Sequence, residues 1–564
     1  MAAQPEAELD LIFLWHMHQP DYRAPEDGEF ALPWVYLHAL KDYADMAAHL
    51  ERHPNVRAVV NFVPVLLEQI EDYILQLSSG QLRDPLLRLL AHPEPEALTP
   101  AERRYALETC FRANQAQMIA PFPAYQRLHD LHLILKGHGE TVLDYLSGRY
   151  FADLITWYHL AWTGETVRRE NPLVIELMSR SDEFSAQDRL ALLQLIGNIL
   201  SQLIPRYRAL ASRGQIELST TPYSHPLSPL LLDFRSAREA APDLPLPQAA
   251  AYPGGRDRVD VHLRDAIAAH QNRFGTAPAG IWPAEGALSA AMVQRLAARG
   301  CRWTASGESV LKNSRQDYRQ ERDLYRPHRL SNSPEPVLFF RDDRLSDLIG
   351  FEYAKWHGKD AVDHFVSQLD AIRRRAPDGE RRTVCVILDG ENAWEFYPYN
   401  AYYFFEDLYR LLDEHPRIHT KTFSDCLADQ DTMIRATELP QLVAGSWVYG
   451  NFTTWIGEPD KNAAWDLLAA AKRSYDLVMA GDRLDAESRK LAAARLAVCE
   501  SSDWFWWLGE LNQAEAVGQF DRLFRRNLKA LYRLLQLPPP DALEVPLIHG
   551  DGKDTTGGAM RRSS

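Results

Sequence analysis

The sequence predicts an α/β protein: a parallel (β/α)-type barrel with a helical insertion and a C-terminal helical region. Three observations predict it. Short apolar runs recur between helical patterns and end in polar residues, as Leu11-Ile12-Phe13-Leu14-Trp15 does before His16 and Val384-Cys385-Val386-Ile387-Leu388 before Asp389. Strands buried on both faces of a parallel sheet read this way, and barrels place their chemistry at strand C-terminal ends. From Leu66 to about Arg208 the pattern is helical, rich in Leu, Gln, Glu and Arg, with no clear strand. Past about residue 430 the character changes to long helices.

Leu11–Trp15 opens the barrel and ends in His16-Met17-His18-Gln19-Pro20. Two histidines at i and i+2 of an extended strand end point the same way. They suit metal ligation or hydrogen bonding to a polar substrate; the plainer alternative is a bond to backbone. Ala39–Arg52 is helical in pattern, and Arg57–Phe62 is a second strand, closed by Val63-Pro64. The insertion has loops near Pro93–Pro100 and Pro121–Pro123. Its Trp157, Tyr158, His159 and Trp162 fall at the spacing of a buried helix face. Gly214–Thr220 is the third strand. Glu217 lies in its apolar run, where a carboxylate must be paired or belong to a site. Ser224-His225-Pro226-Leu227 follows, and Arg238 to Gly254 reads as loop.

Asp260–Phe274 is a helix, and Ile281-Trp282 is a short strand stopped by Pro283. Glu285 stands between Pro283 and Gly286, ahead of a helix over Ser289–Arg299. It either carries chemistry or favours the helix dipole. Cys301–Thr304 and Val337–Phe340 are further strands; Arg341-Asp342-Asp343-Arg344, Asp347 and Gly350 form a polar cluster after the second. Val384–Leu388 is the clearest strand and stops at Asp389-Gly390-Glu391-Asn392, with Trp394 and Tyr397 close behind. Asp389 there is a catalytic acid or, like Asn392, a helix cap. Tyr402–His415 is helical and His419–Phe423 is a last short strand.

The C-terminal helices are expected at Ala463–Ala480, Ala486–Glu500 and Gln513–Leu535. Two aromatic knots interrupt them, Gly445–Phe452 through Trp455, and Ser501–Trp507. The expected division is 1–430 for the barrel with its insertion at about 66–208, 431–545 for a helical domain that completes the cleft, and 546–564 for a tail. The polar, Gly-rich stretch Asp551–Ser564 reads as disordered.

The chain has 564 residues and a formal net charge of −15, which makes nucleic acid a poor partner. With 14 Trp and 23 Tyr it offers flat faces that stack on sugar rings as well as fill cores. Five widely spaced cysteines, Cys110, Cys301, Cys385, Cys426 and Cys499, form no CxxC pair. Reduced thiols in a cytoplasm fit that pattern better than a disulfide framework or a structural zinc site. The N-terminus is acidic, Leu11–Trp15 is too short for a signal-peptide core, and no stretch approaches a membrane span. The expected localisation is cytoplasmic.

Polar strand ends at His16/His18, Glu217, Glu285, Arg341/Asp342 and Asp389 give the layout of a barrel with its site on one face. Two carboxylates from different strands are the minimal equipment for glycoside hydrolysis, one as nucleophile or base and one as general acid. The acid needs a raised pKa, which burial beside Trp394 or Trp282 would supply. Two other classes fit less well. A metal-dependent hydrolase of the polysaccharide deacetylase kind would use His16 and His18 with an Asp, but no HxxxH or HxxEH accompanies the pair. A non-catalytic glucan-binding protein leaves Glu285 and Asp389 unexplained.

These residues resemble glycoside hydrolase family 57, whose five short regions are found in order. His18-Gln19-Pro20, with His16, looks like the first, and Gly214–Glu217 like the second. Trp282-Pro283-Ala284-Glu285-Gly286 looks like the third, Leu388–Glu395 like the fourth, and Gly445-Ser446-Trp447 with Trp455-Ile456-Gly457 like the fifth. The resemblance implies an incomplete (β/α)7 barrel with a C-terminal helical domain, and a retaining mechanism without metal or organic cofactor. It implies Glu285 as nucleophile and Asp389 as general acid/base. Trp447 and Asp503 match substrate contacts of related branching enzymes. The candidate substrate-binding set is His16, His18, Glu217, Trp282, Arg341, Glu391, Trp394, Trp447, Asp503 and Trp504.

WPAEG and LDGENAWE look most like the amylopullulanase and α-amylase subgroup. The expectation is therefore a retaining glycoside hydrolase on α-glucan (glycogen, starch or maltodextrin) that cleaves α-1,4 bonds, with α-1,6 bonds as a further candidate. The alternative is a 4-α-glucanotransferase or a glucan branching enzyme.

Overall fold

The computed structural model describes residues 7–137, 145–509, 512 and 514–547. Its centre is a ring of seven parallel strands: β1 (Leu9–Met17), β2 (Ala58–Phe62), β3 (Ile216–Thr220), β4 (Gly280–Ile281), β5 (Trp303–Gly307), β7 (Ser333–Arg341) and β8 (Arg382–Asp389). β6 (His328–Leu330) intervenes in sequence and pairs antiparallel with β7 outside the ring. β1 pairs with β2 on one side and with β8 on the other, and β8 meets β7, which closes the barrel. β9 (Ile418–Thr420) adds to the start of β1, and β10 (Thr437–Leu439) adds to β6. The predicted (β/α)7 barrel is thus observed.

Alternation along each strand decides what the barrel encloses. Ile12, Leu14, Val59, Val337, Phe339, Cys385 and Ile387 share one apolar cluster inside, closed below by Phe423 and Cys426. Leu11, Phe13 and Trp15 belong to the larger cluster between barrel and helices. Two residues beyond the last inner apolar residue of these strands lies a polar one: His16 after Leu14, Asn61 after Val59, Arg341 after Phe339, Asp389 after Ile387. Parity alone therefore aims these four side chains into the C-terminal mouth.

The insertion between β2 and β3 is helical, as predicted, from Pro64–Ser79 to Ala186–Ser212. Pro64, Pro85, Pro100, Pro123 and Pro172 each stand at a helix start, where proline's fixed φ costs no hydrogen bond. Past β10 the chain forms helices Pro459–Met479, Ala486–Cys499, Asp503–Trp507 and Ala514–Leu534. They pack through aromatic contacts such as Trp465 on Phe505, stacked at 4.0 Å.

A buried ion cluster joins these helices to the barrel wall. Glu500, fully buried, takes Arg258 Nη2 at 2.7 Å, His262 Nε2 at 2.7 Å and the Tyr252 hydroxyl at 2.6 Å.

Some boundaries differ from expectation. The strand expected at Cys301–Thr304 runs over Trp303–Gly307, because Gly300 turns with φ 73° and Cys301 is still bonding back to Leu296. β6, β10 and the helix Gly358–Arg374 were not among the expected elements. The two strands have three residues each, too few to show a period. Asp551–Ser564 lies outside the described residues. Among the described residues, no helix is long and apolar enough to cross a membrane.

Candidate active site

A cleft of about 730 Å³ opens at the C-terminal mouth of the barrel. Its floor holds His16, His18, His225, Glu285, Arg341, Asp389 and Glu391. One wall, with Trp34, Arg112, Asn114 and Trp162, comes from the segments around the insertion, and the opposite one, with Asp503, Trp506 and Trp507, from the C-terminal helices.

Glu285 follows β4, a strand of two residues, and sits at φ 59° and ψ 22°. A side-chain-bearing residue takes this left-handed conformation only where its surroundings hold it. Gly286 beside it also has positive φ, and a Cβ there would meet the Trp282 ring at 2.8 Å. The segment is held by pairing with the first aromatic knot. Leu288 and Gly445 exchange both backbone bonds, and Trp447 N–H donates to Glu285 O at 3.0 Å. The same pairing brings Trp447 Nε1 to Glu285 Oε2 at 3.1 Å. Trp447 in turn lies edge-on to the buried Trp282, at 5.2 Å, and carries the Arg341 guanidinium 5.6 Å from its ring centre.

Asp389 ends β8 in register with His16 of β1. Gly390 N–H donates to His16 O at 2.7 Å, and a Cβ on Gly390 would strike Met17 Sδ, so a larger residue there would have to displace the Met17 side chain. Asn392 Nδ2 donates to Asp389 Oδ2 at 2.9 Å. Burial pushes the Asp389 carboxyl up to about 6; Asn392, His18 and Arg341 oppose that rise without cancelling it. Glu391 is only 2 % exposed. Burial, then Asp389 and Asp42, raise it well above the carboxylate range.

Arg341 donates to Ile387 O at 2.8 Å, Asp343 Oδ1 at 2.9 Å and Asp347 Oδ1 at 2.9 Å. His18 Nε2 and Asp503 Oδ1 lie 2.8 Å apart, a link between β1 and the C-terminal helices. The family model for glycosyl hydrolase family 57 matches residues 12–438.

The chain belongs to glycosyl hydrolase family 57.

Solved structures share the fold, among them one described as a family 57 enzyme. A branching enzyme from Thermococcus kodakaraensis has a TM-score of 0.57 at 16 % identity, over 93 % of this chain and 90 % of that one. The α-amylase AmyC from Thermotoga maritima has a TM-score of 0.56 at 15 % identity, over 95 % and 96 %. A 4-α-glucanotransferase from Thermococcus litoralis has a TM-score of 0.51 at 13 % identity, over 93 % and 60 %. No curated protein sequence matches the chain.

Within this family 57 chain the barrel gathers Glu285, Asp389, His16, His18, Arg341, Glu391, Trp447 and Asp503 around one cleft. Four residues of the expected set stand elsewhere. Glu217 points inward but sits at the start of β3, about 10 Å below the mouth at ~3.3 Å per residue. Its carboxylate accepts Trp303 Nε1 at 2.6 Å and the Ser424 hydroxyl and N–H, each at 2.9 Å. That pairing answers the charge the apolar run left open, and the residue does not line the cleft. Trp394 is core: its Nε1 donates to Gly390 O and its ring packs on Trp15 and Phe405. Trp504 is fully buried against Phe520 and Phe524. Trp282 backs Trp447 and does not reach the cleft itself.

The ring of Trp394, beside which a raised Asp389 was expected, is turned to the core against Trp15 and Phe405. His225, Ser502, Trp34 and Trp507 were absent from the expected set. His225 had a signal: it lies just past the end of β3 and before a proline, as the other polar strand ends do.

His18, His225 and Asp503 each offer an atom within 4.8 Å of the others. Their arrangement does not suit a cation. The His18 and His225 rings stack at 3.8 Å with 18° between planes, so their in-plane lone pairs run side by side instead of converging. Nδ1 of His225 is paired with Ser502, and Nε2 of His18 with Asp503.

Proposed function

We propose that this protein is a retaining glycoside hydrolase acting on α-glucans, with Glu285 as nucleophile and Asp389 as general acid/base. The observation that carries the reading is the pair of carboxyls in one cleft. Glu285 accepts the indole N–H of Trp447 at 3.1 Å, which holds its carboxyl in place in the cleft. Asp389 is pushed up to about 6 by burial, which suits a group that must give a proton and take one back. A carboxyl raised toward neutrality beside a second carboxyl in the same cleft is the equipment of a glycosidase pair. Glu285 attacks the anomeric carbon while Asp389 protonates the leaving oxygen. Asp389, now ionised, then takes a proton from water as it opens the glycosyl-enzyme.

The partly exposed rings of Trp34, Trp447 and Trp507 supply flat apolar faces for glucose units, and His18, Asp503 and Arg341 supply hydrogen-bond partners. The three solved relatives named above act, by their names, as a branching enzyme, an α-amylase and a 4-α-glucanotransferase. Hydrolysis and transfer differ only in whether water or a sugar hydroxyl reaches the same intermediate.

The test is product analysis on maltoheptaose with and without EDTA. Short products with rising reducing ends support the hydrolase. Longer and shorter chains at constant reducing ends replace it with a transferase. No change rejects the α-glucan reading, and loss of activity with EDTA rejects a metal-free site.

A further inference from the structure

Two buried imidazoles at the cleft floor have one arrangement of protons that satisfies the groups around them. Asn61 presents Nδ2 to Ser219 Oγ at 2.9 Å, which turns its Oδ1 to Nδ1 of His16 at 2.7 Å. Thr221 Oγ1 donates to the same oxygen at 2.9 Å. His16 therefore carries its proton on Nδ1. Burial, and then His18, lower His16 to about 3, so the ring is neutral and its Nε2 is a lone pair. That lone pair faces Nε2 of His225 at 3.2 Å, so His225 donates from Nε2. Burial, then His18 and His16, keep His225 neutral too, which leaves its Nδ1 an acceptor. Ser502 Oγ stands 2.9 Å from that nitrogen and donates to it. The donors run in one direction: Ser502 to His225, His225 to His16, His16 to Asn61.

The nitrogen that Ser502 occupies is also the one turned to the nucleophile. Nδ1 of His225 lies 4.0 Å from Glu285 Oε1. With the imidazole neutral this is a contact and not an ion pair. Ser502 also fixes the backbone here, since its N–H donates to His225 O at 2.9 Å and Ser501 bridges Pro226. Ser224 and His225 have φ of 63° and 61°, so the segment is strained where the C-terminal helices grip it. The groups facing His225 are His16 and His18 from β1, Glu285 from the turn after β4, and Ser502, with Asp503 behind His18.

We propose that Ser502 is a positioning residue of the reaction: by filling the Nδ1 lone pair of His225 it holds, together with the His16 lone pair, that imidazole's proton off the side facing Glu285. This rests on Glu285 being the nucleophile. Trp447 already bonds Oε2 of Glu285, so an N–H from His225 would engage the other oxygen, Oε1, and leave neither one free to attack carbon. Ser502 comes from the C-terminal helices, 277 residues away along the chain, so the attack is tuned only when those helices are seated.

The test compares Ser502→Ala and Ser502→Thr by histidine ¹⁵N chemical shifts and by kinetics on maltoheptaose, with His225→Gln used to assign the His225 resonances. Wild type and Ser502→Thr should show the proton of His225 on Nε2. Ser502→Ala should show it moved at least in part to Nδ1, with kcat lower by about tenfold or more and KM within about twofold. A wild-type His225 protonated on Nδ1 overturns the proposal, as does a Ser502→Ala enzyme with wild-type kcat. If Ser502→Ala does not fold, the wild-type spectrum decides. A chain inactive on maltoheptaose rejects the α-glucan reading on which the kinetic comparison rests, and the spectrum still decides where the proton sits.

Discussion

Trp447 and Glu285, 162 residues apart, are joined twice: by a backbone bond of 3.0 Å and by the indole Nε1–H on the carboxylate at 3.1 Å. The first bond sets the second, since pairing of Gly445 with Leu288 carries Trp447 over the left-handed turn at Glu285. An aromatic knot that reads in sequence as a sugar platform is therefore also a hydrogen-bond donor to the proposed nucleophile. Trp447→Phe keeps the ring and removes the donor. A bond to a charged group contributes roughly 1.5–3 kcal/mol, so kcat should fall about 10- to 100-fold. Steady-state kinetics on maltoheptaose would show this, and an unchanged kcat would strip the bond of its role.

Glu285→Gln keeps size and replaces the attacking oxygen pair with an amide. Turnover should fall by roughly three orders of magnitude or more, with the melting temperature close to wild type. Substantial residual activity in a folded variant would remove Glu285 from the mechanism.

Asp389 must be protonated to start the reaction, and its carboxyl sits at about 6. The basic limb of kcat/KM should therefore fall near that pH. Asn392 lowers the Asp389 pKa by donating to its ionised form. Removing that bond in Asn392→Ala raises the pKa. The limb should move up by roughly half a unit to one unit, the equivalent of one hydrogen bond. A limb that stays in place or moves down would show that another group gives the proton.

Gly390 lies where β8 crosses the end of β1, with Met17 Sδ in the space a Cβ would need. Gly390→Ala should destabilise by roughly 1–3 kcal/mol through overpacking. It should also lower activity, because Asp389 is the next residue along. Denaturant unfolding with parallel assays would measure both, and a neutral effect on each would argue against the close passage.

Burial alone would raise the Glu500 carboxyl, but Arg258 and His262 outweigh it and hold it well below the usual range. A depressed carboxylate stabilises the fold above its unfolded pKa of about 4.3, and that stability is lost as pH falls below it. Glu500→Ala leaves Arg258 buried without its partner and should cost roughly 3–5 kcal/mol. The variant's stability should also vary less with pH between about 5 and 3. Urea unfolding at both pH values would test this, and a wild-type pH dependence in the variant would remove Glu500 as its source.

Much of the barrel follows from order along the chain. Leu11–Trp15 and Val384–Leu388 are apolar because both faces are buried, and parity sends His16 and Asp389 to the inside two residues beyond Leu14 and Ile387. Glu285 and Asp389 were likewise legible, since each interrupts an apolar run at a strand end next to a glycine. Glu217 misled because its inward parity is right and its height is wrong. The strand begins close before it, so it meets Trp303 and Ser424 at the closed end of the barrel. Trp394 misled because nearness along the chain to Asp389 says nothing of which side of the turn its ring takes.

By itself the sequence determined the barrel strands, most of the long helices, the family and the two carboxyls, because each of these depends on a local period or a short motif. Only the tertiary structure decided what surrounds the carboxyls. The proton order from Ser502 through His225 and His16 to Asn61 joins four residues from separate segments, and no local pattern records it. The same holds for the raised Asp389 and for Trp447 on Glu285. Burial and hydrogen bonding act through space over a few ångströms, so they exist only once the barrel has closed and the C-terminal helices have packed across its mouth.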